Sequence, residues 1–236
     1  MAFGIEIMMT TDTNSLSEEE TNKLQLQLYD GPKNNGALMT WIEKNSPISD
    51  EYQMHRNFDM IYKLEQWKDR ADDEVSPMSG HGSGRSANEL FVNYVNHLIT
   101  TYSISSIVDV GSGDWSYMKD VNIASYNGYD VSSIIVDTTT ALYGSNNNNN
   151  NASALPYDDG KFVAFHVSKI HQIYEVADMM ICKDVLQHLP FDAAQHIVDQ
   201  QSKFKISIFV NDVSTMDNSP NEDIPIAGGY RSLDVE

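Results

Sequence analysis

Three groups of residues have the types and spacing to do chemistry. The first is Asp109-Val110-Gly111-Ser112-Gly113-Asp114-Trp115, where the apolar run Ser105–Val110 turns through two glycines and leads into a predicted helix. The second is Asp130, followed by Val131, at the end of the predicted strand Tyr126–Asp130. The third is Lys183-Asp184-Val185-Leu186-Gln187-His188, where the apolar run ending at Cys182 becomes polar. A strand, a glycine turn and an acid roughly twenty residues on are the parts of a nucleoside site, because that acid can accept both ribose hydroxyls. The plain alternative for Asp130 is a solvated carboxylate at a strand end.

The loop also says which nucleoside. A dinucleotide fingerprint needs a third small residue, so that helix and strand pack closely while backbone N–H groups face a pyrophosphate. Asp114 and Trp115 stand there instead. A carboxylate at a helix N-terminus repels phosphate and tolerates a cation. S-adenosylmethionine carries a sulfonium and an ammonium and no phosphate, so the loop favours it over a nicotinamide dinucleotide.

Composition narrows the partners. A net charge of −19 and a pI near 4.5 exclude extended contact with nucleic acid, whose affinity comes from Lys and Arg neutralising phosphates. The single cysteine, Cys182, leaves no intramolecular disulfide and suggests a reducing compartment. No run approaches the roughly 18–20 apolar residues of a membrane span, and the start Met1–Ile7 lacks the basic region of a signal peptide. The expectation is a cytoplasmic protein with a small-molecule substrate, no nucleic acid and no membrane. Its oligomeric state stays open, a homodimer included.

Those groups need a scaffold of alternating strands and helices. Phe3, Ile5 and Ile7 alternate as in a short strand, and Ser15 with Glu18 reads as a capping box. Turn signals follow at Asp30-Gly31-Pro32 and Asn34-Asn35-Gly36, and a helix is expected from about Asp50 to Asp69. The loop Ser76–Gly84 leads to a second box, Ser86 with Glu89, and to a helix with Leu90, Phe91, Tyr94, Val95, Leu98 and Ile99 on one face. Strands are expected at 105–110, 125–130, 162–167, 178–182 and 205–211, with helices or loops between them, which predicts a parallel sheet with crossovers. Asp192 is expected to cap a helix through Ala194, Ile197 and Val198, and Asn146–Asn151 reads as a surface insertion. The chain divides into a mostly helical extension, 1–75, and an α/β domain, 76–236.

The chain resembles the class I S-adenosylmethionine-dependent methyltransferases, in particular a branch with a GCGDW loop, a CKDVLQHL segment and a GGYRPLDL-like tail. Here these are Gly111–Trp115, Cys182–Leu189 and Gly228-Gly229-Tyr230-Arg231-Ser232-Leu233-Asp234, preceded by Trp67 and Ser79-Gly80-His81-Gly82-Ser83. The resemblance spans about residues 58 to 236 and implies a Rossmann-like sheet with helices on both faces. It implies that Asp109, Gly111 and Gly113 shape a loop around the methionine of the cofactor, with Ser112, Asp114 and Trp115 also among the cofactor-binding residues. Asp130 would hold its ribose, with Val131 also cofactor-binding, and Lys183 would lie beside its methionine and the substrate. Two features depart from the pattern. The third strand, Phe162–Ser168, lacks the acid that commonly meets the adenine amino group, leaving His166, Ser168 or backbone groups to substitute. The chain also stops about two dozen residues after the fifth strand, where the fold adds a helix and an antiparallel hairpin. This C-terminal part reads as shortened, with Phe3–Ile7 or a partner chain covering the exposed edge.

Methyl transfer is an in-line displacement, so positioning supplies much of the acceleration. His188 is the first candidate for general base, with Asp184 and Lys183 beside it; the alternative is a helix-start histidine packed under the loop. Asp184 with Asn211-Asp212 offers oxygen ligands of the kind that suit Mg²⁺, although cap and turn roles fit these residues better. No histidine or cysteine spacing suggests another metal. Arg231, with Tyr230, would either clamp an acidic substrate such as a sugar nucleotide or pin the tail. The reading is methyl transfer to an O or N atom of a small molecule, a sugar among the options. The rivals are a catalytically weak binding protein on the same fold and a protein methyltransferase.

Overall fold

The computed structural model describes residues 3–9, 50–68, 77–144, 161–212, 223–224 and 227–233. The expected helix start at Ser15, the turns at 30–36 and the asparagine run lie outside them. The strands are β1 (Phe3–Met9), β2 (Ser106–Val110), β3 (Ser125–Asp130), β4 (Phe162–Val167), β5 (Met179–Lys183) and β6 (Ile206–Asp212). The α-helices are α1 (Asp50–Lys63), α2 (Glu89–Tyr102), α3 (Ser133–Tyr143) and α4 (Phe191–Val198).

The strands form one sheet in the order β1-β6-β5-β2-β3-β4. Strands β2 to β6 pair in parallel, and β1 joins β6 antiparallel, from Phe3 opposite Asp212 to Met9 opposite Ile206. The edge of β6 is thus covered by β1, a strand from the N-terminal part of the chain. Every residue of β5 and β6 is buried, as expected of central parallel strands covered on both faces. One face packs against Phe91, Val92, Val95 and Leu98 of α2. The other packs against Met54, Phe58 and Ile61 of α1 and Ala193, Ala194 and Ile197 of α4. This is a doubly wound α/β layer structure. Chain order reverses between β2 and β5, and in such sheets the crevice at that point receives ligands.

Several local expectations change. No α-helix follows the glycine loop; a three-residue 3₁₀ turn, Met118–Asp120, stands there. Trp115 takes a left-handed φ of 58°, which stops a helix from starting, and its side chain turns into the core. The helix-dipole argument about Asp114 therefore has no helix behind it. The box Ser86/Glu89 does not form either. Ser86 begins a 3₁₀ turn, and Asn88 ahead of α2 makes no side-chain cap. Asp192 lies inside the first turn of α4 and takes the N–H of Ala193, while Asp223 takes that of Phe191. Among the described residues, no helix is long and apolar enough to cross a membrane.

Candidate active site

The glycine loop leaves β2 at Gly111, and its backbone donors are all engaged. The N–H groups of Gly111 and Ser112 both reach the Tyr129 carbonyl, at 2.7 and 3.0 Å. That of Gly113 reaches the Asp130 carboxylate at 3.0 Å, and that of Asp114 reaches Ser79 Oγ at 2.8 Å. Trp115 donates to Ser112 O, and Ser116 to Asp114 Oδ1. Gly111 and Gly113 have φ of 75° and 54°, values a residue without Cβ adopts freely. They are also closely covered. A Cβ on Gly111 would meet Val185 Cγ2 at 2.2 Å, and one on Gly113 would meet Ser79 Oγ at 2.3 Å.

Asp130 ends β3 with its carboxylate shared between Gly113 N–H and Ser132 N–H, at 3.0 and 2.9 Å. Burial pushes its pKa up to about 6, against the pull of those two donors. The Val131 carbonyl accepts His55 Nδ1–H at 2.5 Å, which ties α1 to the same corner. On the neighbouring strand, Asp109 is buried and accepts Tyr126 O–H at 2.5 Å. Its burial pushes the carboxyl up to about 7, although the Tyr126 bond opposes this.

Lys183 is the last residue of β5 and is 6% exposed. Its ammonium pairs with Asp184, approaches the Gly82 carbonyl at 3.4 Å and lies 5.4 Å from the centre of the Tyr117 ring. Asp184 has a left-handed φ of 58°, and its N–H is tied to Val210 O at 2.7 Å. A non-glycine residue held there is worth attention, since such conformations persist where surrounding structure imposes them. One carboxylate oxygen of Asp184 is buried without a hydrogen-bond partner.

His188 donates from Nδ1 to the Gly229 carbonyl at 2.6 Å, because a carbonyl can only accept. The proton therefore sits on Nδ1 and the lone pair on Nε2. Its ring stands 5.4 Å from Trp67 and 5.9 Å from Tyr230. Burial lowers its pKa, so the ring is neutral at pH 7.

The structure thus brings Gly111–Asp114, Asp109, Asp130, Lys183 and Asp184 together at the C-terminal ends of β2, β3 and β5, with His188 beyond them on the tail side. Three candidates have other employment. The Trp115 indole packs on Tyr126, Tyr143 and Phe165 with centroids 5.0 to 5.6 Å away, so only its backbone faces the loop. Arg231 is 5% exposed; its Nη2 bonds the Leu186 carbonyl, its Nη1 approaches Asp223 at 3.5 Å, and the guanidinium lies 4.3 Å over the Phe191 ring, while Nε and Nη1 are buried without a hydrogen-bond partner. The Tyr230 hydroxyl donates to Asp212. His166 stacks on Tyr129 and meets Asn127, while Ser168 is buried at the end of β4. Among the described residues no group of three or more His, Cys, Asp or Glu side chains is arranged to hold a metal ion.

Sequence reading missed Tyr62, Tyr117 and Tyr126, which count as apolar members of their elements until their hydroxyls or rings are placed. It read the Ser79–Ser83 segment as part of a loop, and linked it to the site only through resemblance. That segment crosses the loop, with Ser79 N–H on Asp114 and Ser116 Oγ–H on Ser83 O.

No family model matches the chain, and no curated protein matches it in sequence. Among solved structures it is similar to magnesium protoporphyrin IX methyltransferase (ChlM) from Synechocystis PCC 6803 with bound SAM. That likeness has a TM-score of 0.44 at 18% identity, over 65% of this chain and 71% of that one. The methyltransferase domain of bacterial CtHen1 gives 0.41 at 15% identity, over 52% of this chain and 64% of that one. CalS10, an amino pentose methyltransferase from Micromonospora echinaspora with SAM bound, gives 0.35 at 11%, over 48% and 43%. The chain thus spans less than two thirds of the last two. Likenesses of this size assign this chain no cofactor, substrate or partner.

Proposed function

We propose that the chain is an S-adenosylmethionine-dependent methyltransferase acting on an oxygen or nitrogen of a small molecule. One observation carries the reading: a doubly wound sheet presents, at its switch point, a glycine loop whose backbone donors are all engaged, next to a buried carboxylate. A pyrophosphate needs unclaimed N–H groups at such a loop. Gly111, Ser112 and Gly113 spend theirs on β3, so a dinucleotide lacks its cradle. A cationic nucleoside finds Asp130 and Asp109 instead, two buried carboxylates within reach of one crevice.

When bound, S-adenosylmethionine supplies an electrophilic methyl group on a sulfonium. Asp130 would hold the ribose hydroxyls with the oxygen lone pairs that Gly113 and Ser132 leave over. Lys183 would hold the carboxylate of the amino-acid end, exchanging Asp184 for it. His188 would take the acceptor's proton on Nε2, its tautomer already fixed by Gly229 O. Lys183 already pairs with Asp184, which favours a neutral acceptor, such as a sugar hydroxyl or an amine, over a sugar nucleotide.

Calorimetry with S-adenosylmethionine tests this reading. Binding is expected for the wild type and is lost in Asp130→Ala. Absence of binding at millimolar cofactor would end it. Incubation with labelled cofactor and fractionated metabolites then identifies the acceptor, and label appearing only in protein would overturn the small-molecule part.

A further inference from the structure

The segment Ser79–Gly84 lies across the glycine loop in a way the proposed reaction does not use. Ser79 Oγ accepts the N–H of Asp114, the loop amide whose partner comes from outside β2, β3 and the loop itself. The Asp114 carboxylate returns the bond by accepting Ser79 N–H at 3.3 Å. The Ser79 side chain occupies the space that Gly113 leaves by having no Cβ, with Tyr62 O–H 3.3 Å from the same Oγ. Two further bonds hold the far end: Ser116 Oγ–H to Ser83 O at 2.6 Å and Lys183 Nζ to Gly82 O at 3.4 Å. Asn88, fully buried, donates to both Gly82 O and Gly84 O.

Glycine at position 113 opens one face of the loop to close approach. That face is filled by the protein's own serine. Lys183, the ammonium best placed for the carboxylate of the cofactor, is at the same time held by the strap at Gly82.

We propose that Ser79 is an affinity-determining residue of the cofactor site: it closes the strap on Gly113 and Asp114, and the strap must open there for the cofactor to bind. The proposal rests on the reading of this crevice as an S-adenosylmethionine site. Closure costs affinity, since a site that is open for only a fraction of the time binds with its intrinsic constant divided by that fraction. Removing one net hydrogen bond from the closed form shifts that balance by a factor of about three to ten. Gly80, at a φ of 96°, supplies a conformation next to Ser79 that other residues rarely adopt.

The experiment compares S-adenosylmethionine binding to wild type, Ser79→Ala and Ser79→Gly by calorimetry and stopped-flow fluorescence. Both variants are expected to bind about three- to tenfold more tightly, with most of the change in the association rate. In the ligand-free protein, the Asp114 amide is expected to exchange with deuterium faster in Ser79→Ala while the amides of β2 do not change. Unchanged or weaker binding by correctly folded variants overturns the strap proposal and leaves the cofactor reading standing. Failure of all three proteins to bind overturns the cofactor reading and the strap proposal with it. Binding by the variants alone supports both.

Discussion

Ser79 and Asp114 exchange hydrogen bonds across 35 residues of sequence, each taking the other's backbone N–H with a side-chain oxygen. This is the reciprocal logic of a helix capping box, used here to fasten a crossing segment to a loop. The Asp114 carboxylate also accepts Ser116 N–H. Asp114→Ala leaves those two backbone donors without their acceptor, at a cost of about 1–3 kcal/mol. Urea denaturation measures it, and a loss under about 0.5 kcal/mol would mean that the carboxylate holds nothing.

Asp130 binds two backbone donors with two oxygens, a task an amide cannot repeat because its nitrogen would face one of them. Asp130→Asn is expected to lower S-adenosylmethionine affinity by about two orders of magnitude, as loss of charge and misdirected donors combine. Calorimetry reads the change. A variant binding within about twofold of wild type would remove Asp130 from the site.

Stability should fall as pH rises through the range set by the two buried carboxyls. Asp109 is pushed up to about 7 and Asp130 to about 6, both chiefly by burial. Unfolded, each titrates near about 3.9, so between these values the folded protein keeps protons that the unfolded chain has released. Their contribution is complete below about pH 4 and is lost as pH passes through 6 to 7. Asp109→Asn removes part of this slope and still accepts from Tyr126. Relative to wild type it should gain of order 2 kcal/mol between pH 5 and 8, since one pKa unit is worth about 1.36 kcal/mol. Denaturation midpoints across that range test it, and a relative loss contradicts the sign.

His188 is neutral, with its lone pair on Nε2. His188→Ala is expected to lower kcat by about 10²- to 10⁴-fold while leaving the cofactor Kd unchanged. Wild-type turnover should plateau above a pKa lower than the usual 6.5 of histidine. A kcat within fivefold of wild type would return His188 to the packing role, against Trp67 and Tyr230.

Deleting residues 1–9 uncovers the β6 edge from Ile206 to Asp212. An unpaired edge beside buried apolar residues invites pairing with another chain. The expected result is a lower denaturation midpoint with soluble oligomers in light scattering; a stable monomer would show that β1 is dispensable.

Much of the layout was legible because it is local. The expected strands ended within about a residue of the observed parallel strands and two residues short of β1, since period and burial act over neighbouring positions. The glycine loop and Asp130 were visible for the same reason: a sharp turn after a strand, and an acid at the next strand's end, need only their own neighbours. The sequence by itself determined these elements, their order and which strand ends carry polar groups.

Tertiary structure decided the rest, through partners distant in sequence. The sequence left the exposed edge to Phe3–Ile7 or a partner chain, and the fold chose the former, with Phe3 opposite Asp212. Trp115 was drawn into the core by Tyr126, Tyr143 and Phe165, and that rotation replaced the expected helix with a 3₁₀ turn. Asp114 and Arg231 carry charges that the sequence leaves open to a ligand. In the fold they are claimed by Ser79 and by Asp223 with Leu186, because a partly buried charge without a partner costs more than an internal bond.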